Sequence, residues 1–194
     1  MINGDKILAA TAKYLKTNGR LKKNTVVATT MSNLGFERYL EEQAINLIRT
    51  DVGDKHVAKA MSDGGFNLGG EQSGHIIMSD FGLTGDGIIA SLQVLANFVE
   101  PGAKTISSLF NMYDEMPQDI FNINCTEATA FTPEELVSLT SKFQRELGSN
   151  VRISIRKSGT EPVIRVMIEA ESHQKIKDIF SQINLVLTDS KVTA

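Results

Sequence analysis

Between residues 25 and 99, short β-branched runs alternate with stretches at helical spacing, and that alternation restricts what the first half of the chain can fold into. Thr25-Val26-Val27-Ala28-Thr29-Thr30-Met31 is nearly continuous in apolar and β-branched residues, the pattern of a strand covered on both faces. Ahead of it, Ile7, Leu8, Ala12 and Leu15 recur at helical spacing up to a stop at Gly19. Leu34 to Gln43 reads as helix, Ala44 to Thr50 as strand, and Val57 to Met61 as a helix that Gly64-Gly65 ends. Phe66 to Gly70 and Gly74 to Met78 read as extended, and Gly85 to Val99 returns to helical periodicity through Ile88, Ile89, Leu92, Leu95, Ala96 and Val99. Strands interleaved with short helices predict an α/β sandwich domain with a mixed, mainly parallel sheet. Ligands in such domains gather at the carboxyl ends of the strands.

Glu100-Pro101-Gly102 interrupts this pattern and marks the expected boundary between domains 1–102 and 103–194. Beyond it come Ile106 to Tyr113, a strand from Gln118 to Cys125, and a helix opened by Thr132-Pro133-Glu134-Glu135. Thr132 suits an N-cap, Pro133 the first helical position, and Glu135 the reciprocal place of a capping box. A strand pair around Ser158 and a closing helix near 173–187 complete a smaller α+β domain with an antiparallel sheet.

With 41% apolar and 22% charged residues, the composition is that of a globular chain with a substantial core. A net charge of −3 gives no overall field to attract nucleic acid or an anionic membrane, so any anion binding must be local. The single cysteine, Cys125, excludes an internal disulfide and suits a reducing, cytoplasmic setting; its strand-like surroundings favour a buried thiol over a nucleophile. The first residues have no basic segment followed by an apolar one, and no apolar run is long enough to span a bilayer.

Two stretches carry chemistry. In Arg152-Ile-Ser-Ile-Arg-Lys-Ser-Gly-Thr-Glu-Pro-Val-Ile-Arg165, Arg156 and Arg165 offer planar donor forks that match phosphate oxygens. Between them, Ser158, Gly159 and Thr160 allow consecutive backbone amides to converge, with hydroxyls as further donors. A polar hairpin turn flanked by surface arginines fits the same residues. In Gly69-Gly70-Glu71-Gln72-Ser73-Gly74-His75, Glu71 supplies an acceptor, Ser73 a hydroxyl, and His75 a group that titrates near neutrality. Acceptor and hydroxyl together suit vicinal sugar hydroxyls. A glycine-rich turn with solvated side chains fits too, and a histidine beside Ile76 and Ile77 can be purely structural.

Taken together and in order, these stretches resemble the α-D-phosphohexomutase superfamily. Gly70-Glu-Gln-Ser-Gly-His75 is similar to its bacterial phosphoglucosamine mutase branch, as are Thr30-Met-Ser-Asn-Leu-Gly35, Val52-Gly-Asp54 and Thr84-Gly-Asp-Gly87. The resemblance spans nearly the whole chain. It implies a parent enzyme with four domains around one cleft, interconverting glucosamine 6-phosphate and glucosamine 1-phosphate through a bisphosphate, on the way to amino-sugar nucleotides and the cell wall. It further implies that Glu71, Ser73 and Gly74 lie in the sugar-selecting loop, and that His75 sits near the sugar with a part in proton transfer. Arg156, Ser158, Gly159 and Thr160 would form the phosphate cradle, with Arg165 beside them. Two departures stand out: Asp51 where the branch usually has a basic residue, and Lys157 where proline is common.

The family's phosphoserine loop and its aspartate-rich Mg²⁺ loop have no counterpart here. Asp5, Asp54, Asp63 and Asp86 are scattered, with Asp63 suited to a turn and Asp86 to a helix start. The expectation is therefore a C-terminal half that binds phosphosugar, holds no metal itself, and turns nothing over alone. Mg²⁺ and the phosphoryl donor would come with the N-terminal half of the same enzyme. A phosphomannomutase or phosphoglucomutase half, and a non-catalytic phosphosugar-binding module, remain alternative readings.

Overall fold

Residues 2–99, 105–124 and 131–189 are described by the computed structural model. They divide into two compact units, Met1–Glu115 and Met116–Ala194, each with its own sheet and core. Cys125 and the Glu100-Pro101-Gly102 segment lie outside the described residues.

The first unit opens with α1 (Gly4–Thr17), whose first turn is capped by Asn3 accepting from the Lys6 amide at 3.1 Å. β1 (Thr25–Thr29) is buried at every position because its two faces feed different layers. Val26 and Ala28 join Leu8, Leu15, Phe36 and Leu40 in one core. Val27 points the other way, onto Val57, Met61 and Ile77. This is why the strand reads as a continuous apolar run instead of an alternating one. α2 (Leu34–Glu42), β2 (Asn46–Thr50) and α3 (Asp54–Gly64) follow, then β3 (Leu68–Gly70), β4 (Ile76–Met78) and α4 (Gly87–Val99).

Strand order is β2-β1-β3-β4, with β1 parallel to both β2 and β3 and β4 antiparallel to β3, the mixed, mainly parallel sheet expected. α3 starts three residues ahead of the apolar residue that marked it, directly after Gly53. Asp63 falls in the last turn of this helix and not in a turn between elements; it pairs with Lys59 at 2.5 Å. Asp86 opens α4 as expected, accepting from the amides of Ile88 at 2.8 Å and Ile89 at 3.0 Å. After a short 3₁₀ turn (Ile106–Leu109), Tyr113 stacks on Tyr39 of α2 at 5.6 Å between ring centroids.

The second unit contains β5 (Gln118–Asn124), α5 (Pro133–Leu147), β6 (Arg152–Lys157), β7 (Val163–Glu169) and α6 (His173–Asp189). Its sheet order is β5-β7-β6, antiparallel throughout. The capping box forms as read: Thr132 Oγ1 accepts from the Glu135 amide at 3.2 Å, and Glu135 Oε2 accepts from the Thr132 amide at 2.6 Å. Strict alternation sends Ile153, Ile155, Ile164, Val166 and Ile168 to one face, where Leu136 of α5 and Ile176 and Ile183 of α6 close the core. The opposite face carries Arg156 and Arg165 together with the buried Met167 and the Arg152–Glu169 ion pair.

Candidate functional site

In the first unit the carboxyl ends of β1, β2 and β3 meet around an open hollow of about 630 Å³, where a mainly parallel sheet is expected to bind. Thr29 and Met31 line it after β1, Val52 and Gly53 after β2, and Glu71 and Ser73 after β3. Asp51 is exposed and stands outside this lining, its backbone carbonyl accepting from Thr50 Oγ1 at 2.9 Å.

Residues 71–75 form the tip of the β3–β4 hairpin. The amide of Glu71 donates to the carbonyl of His75 at 2.9 Å, and the amide of Gly74 to that of Glu71 at 3.0 Å. Glu71 is held from the side, since its Oε1 accepts from the amide of Gly53 at 3.0 Å. That single bond joins the Val52-Gly53-Asp54 turn to the β3–β4 hairpin tip and leaves Oε2 for another donor. His75 is half-exposed, with Nε2 3.6 Å from Asp54 Oδ2, just beyond direct hydrogen-bond range. Its ring lies over Gly85, where a methyl group would stand 2.3 Å from Nε2. The second glycine-containing motif, Thr84 to Gly87, thus leaves room for the histidine of the first.

The start of α1 locks the same loop from below. The amide of Gly4 donates to the carbonyl of Gln72 at 2.9 Å, and a methyl group on Gly4 would approach the carbonyl oxygen of Glu71 to 2.0 Å. The next residue, Asp5, is fully buried and accepts from the amide of Asn33 at 2.8 Å, which anchors the 30–35 loop to the same helix. Arg49 holds that loop from the opposite side, donating to the carbonyl of Ser32 at 2.8 Å and pairing with Glu37 at 2.7 Å. Sequence reading passed over Gly4 and Asp5 as a function-bearing pair. The only signal in the sequence was a glycine immediately before an acid, and the burial of that acid belongs to the fold.

In the second unit, residues 158–162 connect β6 to β7, closed by the Ser158 amide donating to the Val163 carbonyl at 2.8 Å. Thr160 N lies 3.5 Å from Ser158 Oγ, so the turn curls around its own hydroxyl. Arg156 and Arg165 are direct cross-strand partners, and Asn122 of β5 completes the row. Two like charges set opposite each other oppose sheet pairing, so the register is locally unfavourable unless an anion shares the row. Arg165 is occupied by Glu161 at 2.5 Å, whereas the Arg156 guanidinium has no carboxylate partner among the described residues. The register therefore brings Arg156, Ser158, Gly159, Thr160 and Arg165 to one end of the sheet. It also adds Asn122, which the alternation Ile120-Phe121-Asn122-Ile123 could have indicated.

The four scattered aspartates do not converge. Asp5 caps the 30–35 loop, Asp54 faces His75, Asp63 pairs with Lys59, and Asp86 caps α4. Among the described residues no group of three or more His, Cys, Asp or Glu side chains is arranged to hold a metal ion. No described helix is long and apolar enough to cross a membrane.

This pairing of an α/β unit bearing a Glu-Gln-Ser-Gly-His hairpin with an α+β unit bearing an Arg-rich turn is that of a phosphohexomutase. The α/β/α domain III of phosphoglucomutase/phosphomannomutase matches residues 3–116, and the C-terminal domain of the same family matches residues 121–186. The chain belongs to the phosphoglucomutase/phosphomannomutase family. It is 44% identical over 94% of its length to a phosphoglucosamine mutase of Bradyrhizobium diazoefficiens, covering 41% of that protein. A phosphoglucosamine mutase of Zymomonas mobilis is 45% identical with the same coverage of both chains. Its fold matches that of Aspergillus fumigatus N-acetylphosphoglucosamine mutase, solved with GlcNAc-6P and magnesium, with a TM-score of 0.76 and 21% identity over 97% of this chain and 44% of that one. The chain thus spans about two fifths of the length of the curated relatives it matches.

Proposed function

We propose that the chain is the substrate-holding C-terminal part of a phosphoglucosamine mutase acting in the cytoplasm, interconverting glucosamine 6-phosphate and glucosamine 1-phosphate. The observation that carries this reading is the Glu71–Gly53 bond, which pre-orients a carboxylate on a hairpin beside a hollow at the sheet's carboxyl edge. Glu71 and Ser73 present an acceptor and a hydroxyl to sugar hydroxyls, Gly74 allows the positive φ of 100° at the hairpin tip, and His75 stands by for proton transfer. Arg156, with the amides and hydroxyls of Ser158, Gly159 and Thr160, takes the dianionic phosphate that is not being transferred. Arg165, braced by Glu161, adds charge to that row.

Phosphoryl transfer requires donor, acceptor and a charge-neutralising cation to be positioned together. The donor set here does not fit Mg²⁺, because its aspartates are individually engaged and far apart in role. No step is therefore assigned to the metal through these residues. The metal and the phosphoryl donor are assigned to the N-terminal part of the enzyme, and this chain alone is inactive. Lying outside the hollow's lining, Asp51 does not bar an anionic substrate.

Amide shifts of the chain during titration with glucosamine 6-phosphate test the reading. Perturbation of both 71–75 and 156–160 is expected, and inorganic phosphate should perturb only 156–160. A silent hairpin at saturation rejects the sugar assignment. Arg156→Ala should weaken phosphosugar binding by about 1.5–3 kcal/mol, the loss of a charge-assisted contact. Ser73→Ala should reduce discrimination among sugar phosphates while sparing inorganic phosphate.

A further inference from the structure

Glu161 is the one acid in the turn 158–162, beside the hydroxyls and amides read above as a phosphate cradle. Its Oε2 accepts from Arg165 Nη2 at 2.5 Å. A carboxylate set squarely on a guanidinium takes two parallel hydrogen bonds. Here it takes one, and Arg165 Nε is buried with no hydrogen-bond partner among the described residues. The pair is also open to water, the Glu161 side chain 55% exposed and that of Arg165 35%, which places it among ion pairs of small worth. The backbone beneath Glu161 is fixed by contrast. Across Pro162 the Val163 amide donates to the Glu161 carbonyl at 2.8 Å, and the Ser158 amide donates to the Val163 carbonyl at 2.8 Å. The Glu161 side chain can therefore leave Arg165 without the turn being rebuilt.

Arg165 stands directly across from Arg156, and like charges so placed oppose strand pairing. The carboxylate on Arg165 relieves part of that repulsion, and a dianion lodged between the two forks relieves more. We propose that Glu161 is a displaceable counter-ion: with no anion bound it occupies Arg165, and an incoming phosphate dianion takes its place on the fork. The dianion then gains Nη2 and the unpartnered Nε together, a two-point contact that the carboxylate does not make. Each binding event thus exchanges one ion pair for another, and Glu161 returns to Arg165 as the phosphate leaves. Glu161 thereby sets how tightly the cradle holds phosphate, and it does so through Arg165. This inference rests on the reading of residues 156–160 as a phosphate cradle.

The test is titration of the full chain with inorganic phosphate at constant ionic strength, followed through the amide shifts of 156–165. Glu161→Gln should tighten binding about two- to fivefold, the worth of an exposed ion pair. Arg165→Gln should weaken it, and in that background Glu161→Gln should add nothing, because its gain acts through Arg165. In the unaltered chain, the carbon-13 shift of the Glu161 carboxylate should move at saturation toward its value in the urea-unfolded chain. That measurement needs no variant and decides the matter should Arg165→Gln lose its dispersed amide spectrum. A Glu161→Gln chain that binds phosphate equally or more weakly makes Glu161 a fixed brace and overturns the proposal. A gain that persists without Arg165 reduces Glu161 to general repulsion and overturns it equally. Silent 156–160 amides at saturation reject the phosphate cradle and the exchange with it. Responsive amides beside an unmoved Glu161 carboxylate reject the exchange alone.

Discussion

Gly4 and Glu71 are 67 positions apart in the chain, yet the absence of a side chain on one sets the position of the other. A β-carbon at residue 4 cannot be accommodated by rotating a flexible neighbour, because what it meets at 2.0 Å is the backbone carbonyl of the hairpin. Gly4→Ala should therefore push the 71–75 hairpin tip outward, costing about 1–3 kcal/mol of stability as overpacking does. Binding of glucosamine 6-phosphate should weaken while inorganic phosphate binding is preserved; equal affinity for the sugar phosphate in the variant would remove Gly4 from the account. At the same scale, the Arg156–Arg165 pair shows how a site can be inferred from an unfavourable contact. Their residue types were visible in the sequence, but that they stand directly opposite each other depends on the β6–β7 register. Glu161 sets the two apart, pairing with Arg165 at 2.5 Å and not with Arg156.

Elements were legible where local chemistry is complete within them. The Thr132 capping box, the Pro133 start of α5 and the alternation of β6 and β7 need no distant partner to be recognised. The segment 105–115 was less readable, since it gains its place through one aromatic ring. Tyr113 stacks on Tyr39 and lies 6.3 Å from Phe36, with the Lys6 ammonium over its face at 3.6 Å. Burial, reinforced by the negative charges of Asp5 and Glu115, raises its phenol above the ordinary value of 10.0. Above pH 10 the folded chain keeps a proton that the unfolded chain releases, so stability is full below pH 10 and declines as pH rises beyond it. Among the described residues the Tyr113 hydroxyl has no hydrogen-bond partner, so Tyr113→Phe should change neutral-pH stability by less than about 1 kcal/mol. It should also shallow the alkaline decline in a urea-melt series from pH 8 to 11, with the slope due to Tyr39, raised by its own burial, remaining. An alkaline profile identical to that of the unaltered chain would show that the ring titrates freely.

At the scale of the whole molecule, each unit has an apolar cluster of its own. Leu8, Phe36, Leu40 and Tyr113 belong to the first unit, and Leu136, Ile164, Ile176 and Ile183 to the second. Excised residues 1–115 and 116–194 should each melt cooperatively, the latter with α5 and α6 already packed on its own three-stranded sheet. Failure of 116–194 to fold alone would mean that its core is not self-sufficient. The sequence by itself determined the alternation of elements, the caps, the apolar faces and the ordered motifs that place the chain among phosphohexomutases, because each depends on residue type at short spacing. Only the tertiary structure decided that Gly53 holds Glu71, that Gly85 yields space to His75, that Gly4 and Asp5 pin two loops at once, and that Arg156 faces Arg165. These are contacts between residues far apart in the chain, and their geometry follows from how strands register and helices seat, which no local pattern encodes.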